Sequence, residues 1–141
     1  MIISLESYKI KEKYPIHWGD MDAAQHVNNL MYLRWAESAR IAYFKAMGIT
    51  TAFAGSQTGA ILGWQECKYI FPITFPDNVI VGIRCFEILE DRFKLECGIF
   101  SERHNRLAAI SRQDIIPYSY SELKKVELPK AWRDQLVKLE G

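Results

Sequence analysis

The sequence predicts an α+β domain in which an antiparallel sheet wraps around one long buried helix. Three observations carry this. Residues 28–47 form a helix candidate with no Gly or Pro, rich in Leu, Met, Ala, Arg, Glu and Lys. Residues 79–88 and 93–99 alternate apolar and other side chains with a period of two, the signature of strands with one buried face. The turn pairs Glu90-Asp91 and His104-Asn105 separate such runs by only a few residues, so neighbouring strands should run antiparallel. The 141 residues, 49% hydrophobic and 25% charged, fit a single domain spanning residues 1–141 with an ordinary core.

Taken in order, residues 7–18 read as a first strand, weakened near Pro15, and residues 19–25 as a loop. The helix over 28–47 ends at Gly48, where a C-terminal glycine is expected, with Lys45 in the last turn. At about 30 Å it would span a small domain. Arg34, Glu37, Ser38, Ile41 and Lys45 form a narrow, mostly polar stripe, and the rest of its surface is largely apolar, so the helix should be deeply embedded. Residues 50–59 read as a Gly/Ser/Thr-rich loop and 60–71 as a strand. Pro72, Pro76, Asp77 and Asn78 mark a break. In the next two strands Val79, Val81, Ile83 and Cys85, then Phe93, Leu95, Cys97 and Ile99, share one face. Residues 107–116 supply the last strand. Short helices are predicted over 121–126 and 129–139, the second with Pro129 in its first turn.

A net charge of +1 gives no reason to expect nucleic acid or an anionic membrane as partner. Cys67, Cys85 and Cys97 are widely spaced with no CxxC pair, which fits small reduced core residues better than a disulfide framework or a nucleophile. The first thirteen residues carry five charged side chains and lack the apolar run of a signal peptide, and no stretch is apolar enough to span a membrane. The expected location is the cytoplasm.

The chemistry concentrates in residues 17–32, which pack Asp20 and Asp22, His17 and His26, Asn28 and Asn29 into a loop feeding the helix start. The first amides of a helix lack internal partners and carry partial positive charge. They can polarise a carbonyl and hold the oxyanion formed when it is attacked. A carboxylate just before such a terminus can act as nucleophile or as base toward water. On local pattern alone Asp22 reads equally as catalytic group or loop-ordering carboxylate, and His26 equally as loop-ordering residue or substrate contact. Asn28 fits a helix cap and Asp20 a turn. Asp20, Asp22 and His26 are conceivable metal ligands, but no second ligand cluster accompanies them, and no metal is expected. No GxSxG, P-loop or GxGxxG pattern occurs.

The run Trp18-Gly19-Asp20-Met21-Asp22, followed by His26-Val27-Asn28-Asn29-x-x-Tyr32, resembles the 4-hydroxybenzoyl-CoA thioesterase-like branch of the hotdog superfamily, and Glu37 and Arg40 match its continuation along the helix. The resemblance implies a hotdog fold, five antiparallel strands around the helix, and acyl-CoA thioesterase activity. It implies Asp22 as the catalytic carboxylate and the backbone N–H of Asn29 as the carbonyl-polarising donor. Tyr32 would lie near the acyl pocket or a dimer seam. It implies a homodimer or homotetramer with sites at subunit interfaces, and no cofactor beyond the CoA of the substrate. Plant-type acyl carrier protein thioesterases are similar over this stretch but have Asn where this chain has Ala24, which favours the CoA branch. Other members have Pro and Gly where this chain has Ala23 and Gln25. A non-catalytic acyl-thioester-binding module is the alternative, and a hydratase of the same superfamily would need an Asp/His arrangement not found here. Trp35, Tyr43, Trp64 and Phe71 are candidates for an apolar acyl channel, though core packing is the better reading for each. Arg84, Arg103, Arg106 and Arg112 are candidates for contacting CoA phosphates.

Overall fold

The computed structural model describes residues 3–49 and 58–141. Its elements are β1 (Ile10–Pro15), α1 (Asn29–Ala46), β2 (Thr58–Tyr69), β3 (Asn78–Ile88), β4 (Phe93–Ser101), β5 (Arg106–Ser119), β6 (Lys124–Lys125) and α2 (Lys130–Glu140). The strands form one antiparallel sheet in the order β1-β3-β4-β5-β2, with β6 added beside β5. The helix α1 lies against β1, β3, β4 and β5, which is the hotdog arrangement expected.

The alternating pattern seats this helix. Val79, Val81, Ile83 and Cys85 on β3, and Phe93, Leu95, Cys97 and Ile99 on β4, are all buried. From α1 they meet Trp35, Ala36, Ala39, Tyr43 and Phe44 in one core. Ala36 and Ala39 have no exposed surface, so the small side chains bring the helix backbone close to the sheet. The polar stripe of Arg34, Glu37 and Lys45 faces solvent. Gly48 ends the helix at φ 81°, a left-handed conformation glycine adopts without strain.

The sheet's outer face also has a cover, which the alternation did not foretell. Gly82 of β3 pairs with Gly98 of β4, and Tyr8 occupies the slot they leave. A Cβ on either glycine would overlap the Tyr8 ring. The Tyr8 hydroxyl donates to Glu96 at 2.9 Å, and its ring meets Phe100 edge-on.

Four expectations need correction. The first strand covers only Ile10–Pro15, because short 3₁₀ turns at Leu5–Ser7 and Trp18–Asp20 flank it. The strand expected over 60–71 begins and ends two residues earlier, since Pro72 forces the chain out of the ladder. Residues 121–126 form no helix. They turn back so that Lys124 and Lys125 pair with β5, and the turn places Leu123 at φ 56°. Pro129 caps α2 from outside, not within its first turn. The loop expected over 50–59 lies, for residues 50–57, outside the described residues.

The final helix plugs one end of the core through Leu136. Cys85, beside a bulge between Cys85 and Glu87, lies beyond the last β1–β3 pair, Ile10–Ile83, and its N–H finds a partner in α2. Glu140 takes it, accepting from Cys85 N at 2.9 Å and from the Tyr43 hydroxyl at 2.5 Å. Tyr43 is therefore a core anchor.

Candidate active site

The loop before α1 is a closed, hydrogen-bonded turn. Met21 bridges Val27, Asp22 N donates to the His26 carbonyl at 3.0 Å, and Gln25 N donates to the Asp22 carbonyl at 2.9 Å. Gln25 sits at φ 62°, a left-handed conformation that closes the turn. Val27 N donates to the Ile73 carbonyl at 2.8 Å, and Asn28 N to the Asp20 carbonyl at 2.9 Å. The loop is thus tied both to its own start and to the segment between β2 and β3.

The two aspartates divide the work. Asp20 Oδ2 accepts from His17 N at 2.8 Å, the turn role expected for it. Asp22 is exposed, and its Oδ1 accepts from Ala24 N at 2.9 Å, which fixes the carboxylate against its own turn.

Asn28 caps α1: its side-chain oxygen accepts from Leu30 N at 3.0 Å, and its carbonyl accepts from Met31 N at 2.9 Å. Those two bonds satisfy the second and third helical amides, and among the described residues none accepts from the amide of Asn29. Asn28→Ala should cost about 1 kcal/mol of stability, read by urea denaturation. An unchanged midpoint would show the cap to be energetically idle.

Asp22 is a lining residue of two clefts. One, of ≈ 570 Å³, is lined by Trp18, Met21, Asp22, Gln25, Thr74 and Phe75. The other, of ≈ 390 Å³, is lined by Asp22, His26 and Asn29 together with Tyr32, Tyr69, Phe71 and others. The fold therefore brings Asp22, His26 and Asn29 to one cleft. Both volumes fall within the ~300–1,000 Å³ typical of small-ligand sites.

Tyr32 and Tyr69 build the second cleft's wall. Their rings meet edge-on at 5.1 Å, the Tyr32 hydroxyl accepts from Ile73 N at 3.4 Å, and the Tyr69 hydroxyl donates to the Asn29 carbonyl at 3.1 Å. Burial pushes the Tyr69 phenol up to about 12 and that of Tyr32 above its ordinary value. Both stay protonated donors at neutral pH.

Trp18 stands in the sequence motif without a role of its own, and Tyr69, Thr74 and Phe75 lie outside that motif. Tyr69 and Phe75 stand three residues and one residue before prolines that break the chain, a local cue, but only the Val27–Ile73 tether places that segment beside the loop. Of the expected acyl-channel residues, Phe71 lines a cleft, Trp35 and Tyr43 are buried in the core, and Trp64 is exposed on the edge strand β2. The three cysteines are free thiols on β2, β3 and β4. Burial pushes Cys85 up to about 11 and Cys97 up to about 12, far from nucleophilic thiolates. Among the described residues no helix is long and apolar enough to cross a membrane, and no group of three His, Cys, Asp or Glu could hold a metal ion.

Comparison with solved structures gives the same fold. A thioesterase from Thermus thermophilus, complexed with coenzyme A and Zn, is 25% identical, with 96% of this chain and 98% of that chain covered at a TM-score of 0.84. A 1,4-dihydroxy-2-naphthoyl-CoA thioesterase from Synechocystis is 16% identical, with 93% and 97% covered at 0.81. A Staphylococcus aureus protein solved in complex with CoA is 11% identical, with 92% and 82% covered at 0.84. No curated protein sequence matches the chain. The family model for the thioesterase-like superfamily matches residues 16–136, which include the loop, both clefts and every strand but β1. The chain belongs to the thioesterase-like superfamily.

Proposed function

We propose that this protein hydrolyses an acyl-CoA thioester to the free acid and CoA, with Asp22 as the catalytic carboxylate. The observation that carries this is that Asp22 is the lining residue shared by the two clefts and that Asn29, at the helix start, lines one of them. A thioester lying across Asp22 would put its carbonyl carbon at the carboxylate and its oxygen at the helix terminus.

Asp22 then acts in one of two ways. As base it takes a proton from water while the water oxygen attacks the carbonyl. As nucleophile it attacks directly, releases CoA thiolate and leaves an acyl-aspartyl anhydride that water cleaves. In both, the carbonyl oxygen becomes an oxyanion, for which the Asn29 N–H is the donor. The C–S bond breaks, the thiolate leaves, and the products are acid and thiol. His26, on the same cleft, contacts the substrate or holds the loop through its carbonyl bond to Asp22 N.

The wider cleft suits the acyl group. Trp18 and Phe75, 73% and 41% exposed, offer the apolar surface. The narrower cleft would take the pantetheine arm. No cofactor or metal enters the scheme, since CoA arrives as part of the substrate. The CoA-bound neighbours support this handle over a carrier protein.

A panel of short, long, branched and aromatic acyl-CoAs, assayed for thiol release beside an acyl carrier protein substrate, tests the activity. Turnover of at least one acyl-CoA is expected. No release from any of them would leave the chain as a binding module.

We further propose that two copies pair. Strand β2 has no strand on its outer side among the described residues, and Leu62, Trp64 and Tyr69 are exposed on it, an arrangement monomers usually avoid. Light scattering should give at least twice the 16.4 kDa chain mass; a monomer at micromolar concentration would remove this part.

A further inference from the structure

Of the four arginines first considered for phosphate contact, two are already engaged. Arg84 and Arg112 hold the buried Glu96 carboxylate, each at 3.2 Å. Arg103, on the turn between β4 and β5, and Arg106, the first residue of β5, have no ion-pair partner among the described residues, and the Arg103 guanidinium donates to the Pro76 carbonyl at 3.4 Å. The acids beside that turn are spent. Glu102 pairs with Lys13 at 2.9 Å and accepts from the Asn78 side chain at 3.1 Å. Asp77 accepts from the Ser101 hydroxyl and from the Arg103 and Asn78 amides. Arg106 is thus left as an exposed guanidinium with no carboxylate in ion-pair contact among the described residues.

Its position gives that charge a use. The Arg106 guanidinium lies over the Phe71 ring, 4.5 Å from the centroid, and the His104 ring meets the same ring edge-on at 5.1 Å. Phe71 is also a wall of the narrower cleft beside Asp22. One aromatic ring thus joins the cleft to the basic turn. Stacking orients the guanidinium and leaves its N–H fork free for phosphate oxygens.

We infer that Arg106, stacked on Phe71, is a subsite for the phosphates at the nucleotide end of coenzyme A. This rests on the proposed acyl-CoA reading and adds a direction to it: pantetheine runs from Asp22 past Tyr69 to Phe71, and the acyl group lies on the Trp18 side. An acyl carrier protein, whose phosphopantetheine keeps one phosphodiester but has no nucleotide, would meet this subsite with fewer phosphates.

The test measures binding and not turnover, so it needs no knowledge of the acyl group. Calorimetry is run with free coenzyme A, dephospho-coenzyme A and pantetheine on the wild-type protein, Arg106→Gln and Arg106→Lys. Coenzyme A should bind the wild type more tightly than pantetheine, and added salt should weaken it. Arg106→Gln should weaken coenzyme A on the order of tenfold, the loss of one charge-assisted contact, and leave pantetheine unchanged. Arg106→Lys should recover part of the loss. Equal weakening of pantetheine, or no change for coenzyme A in Arg106→Gln, would overturn the subsite. The acyl-CoA reading fails separately, if the wild type binds coenzyme A in this Arg106-dependent way yet releases thiol from no acyl-CoA.

Discussion

Asp22→Asn is expected to lower kcat for thiol release by on the order of 10²–10⁴, the usual contribution of a positioned catalytic carboxylate. The substitution removes the charge and the lone pair needed for attack or proton abstraction. It keeps the oxygen that accepts from Ala24 N at 2.9 Å, so the turn should hold its shape. The change should therefore fall on kcat, with KM and thermal midpoint close to wild type. Asp22→Ala would remove the Ala24 bond as well, and its loss of stability separates a loop-ordering role from a chemical one. If Asp22→Ala destabilises the protein while Asp22→Asn retains turnover, the carboxylate is only an ordering group.

The second large effect concerns the sheet's outer face. Glu96 is 2% exposed on β4 and accepts from the Tyr8 hydroxyl and from the guanidinium groups of Arg84 and Arg112. Removing a buried carboxylate from such a cluster strands its partners, a change that costs ~3–5 kcal/mol in a fully buried pair. Arg84 and Arg112 retain 27% and 46% side-chain exposure and can turn to water. The expected loss for Glu96→Ala is accordingly about 2–3 kcal/mol, most of it from the buried Tyr8 hydroxyl and the void left beside it. Chemical denaturation measures it directly. A Glu96→Ala protein as stable as wild type would mean that the cluster balances its own desolvation.

Much of the fold could be read from the chain because its signals were local. Residues 28–47 carry helix formers, a capping asparagine and a terminal glycine, and the helix runs over all but the two end positions of that span. Period-two alternation in Val79–Cys85 and Phe93–Ile99 marked the face that meets the helix. Residues 121–126 carry side chains that suit the expected helix, whereas a tight turn folds Lys124 and Lys125 back onto Ser119 and Tyr118 at the end of β5. Tyr8 was similarly hidden. Its slot exists only because Gly82 and Gly98 become register partners, and neither glycine advertises the other in sequence.

The site was legible in its first half. Asp22, His26 and Asn29 lie within eight residues, and their spacing against a helix start could be weighed chemically. The second half comes from the end of β2 and the segment after it. Tyr69, Thr74 and Phe75 reach the loop through the Val27–Ile73 bond, a contact between residues 46 positions apart. Trp35 and Tyr43 show the converse: large aromatic residues on the right helix are not pocket walls when their rings point into the sheet.

The most direct test of a thioester hydrolase built on Asp22 is thiol release from the best acyl-CoA of the panel, measured in parallel for wild type and Asp22→Asn at matched protein concentration and confirmed fold. The expected result is steady turnover by the wild type and a loss of two or more orders of magnitude in the variant. Near-equal turnover by the two proteins would contradict the assignment of Asp22.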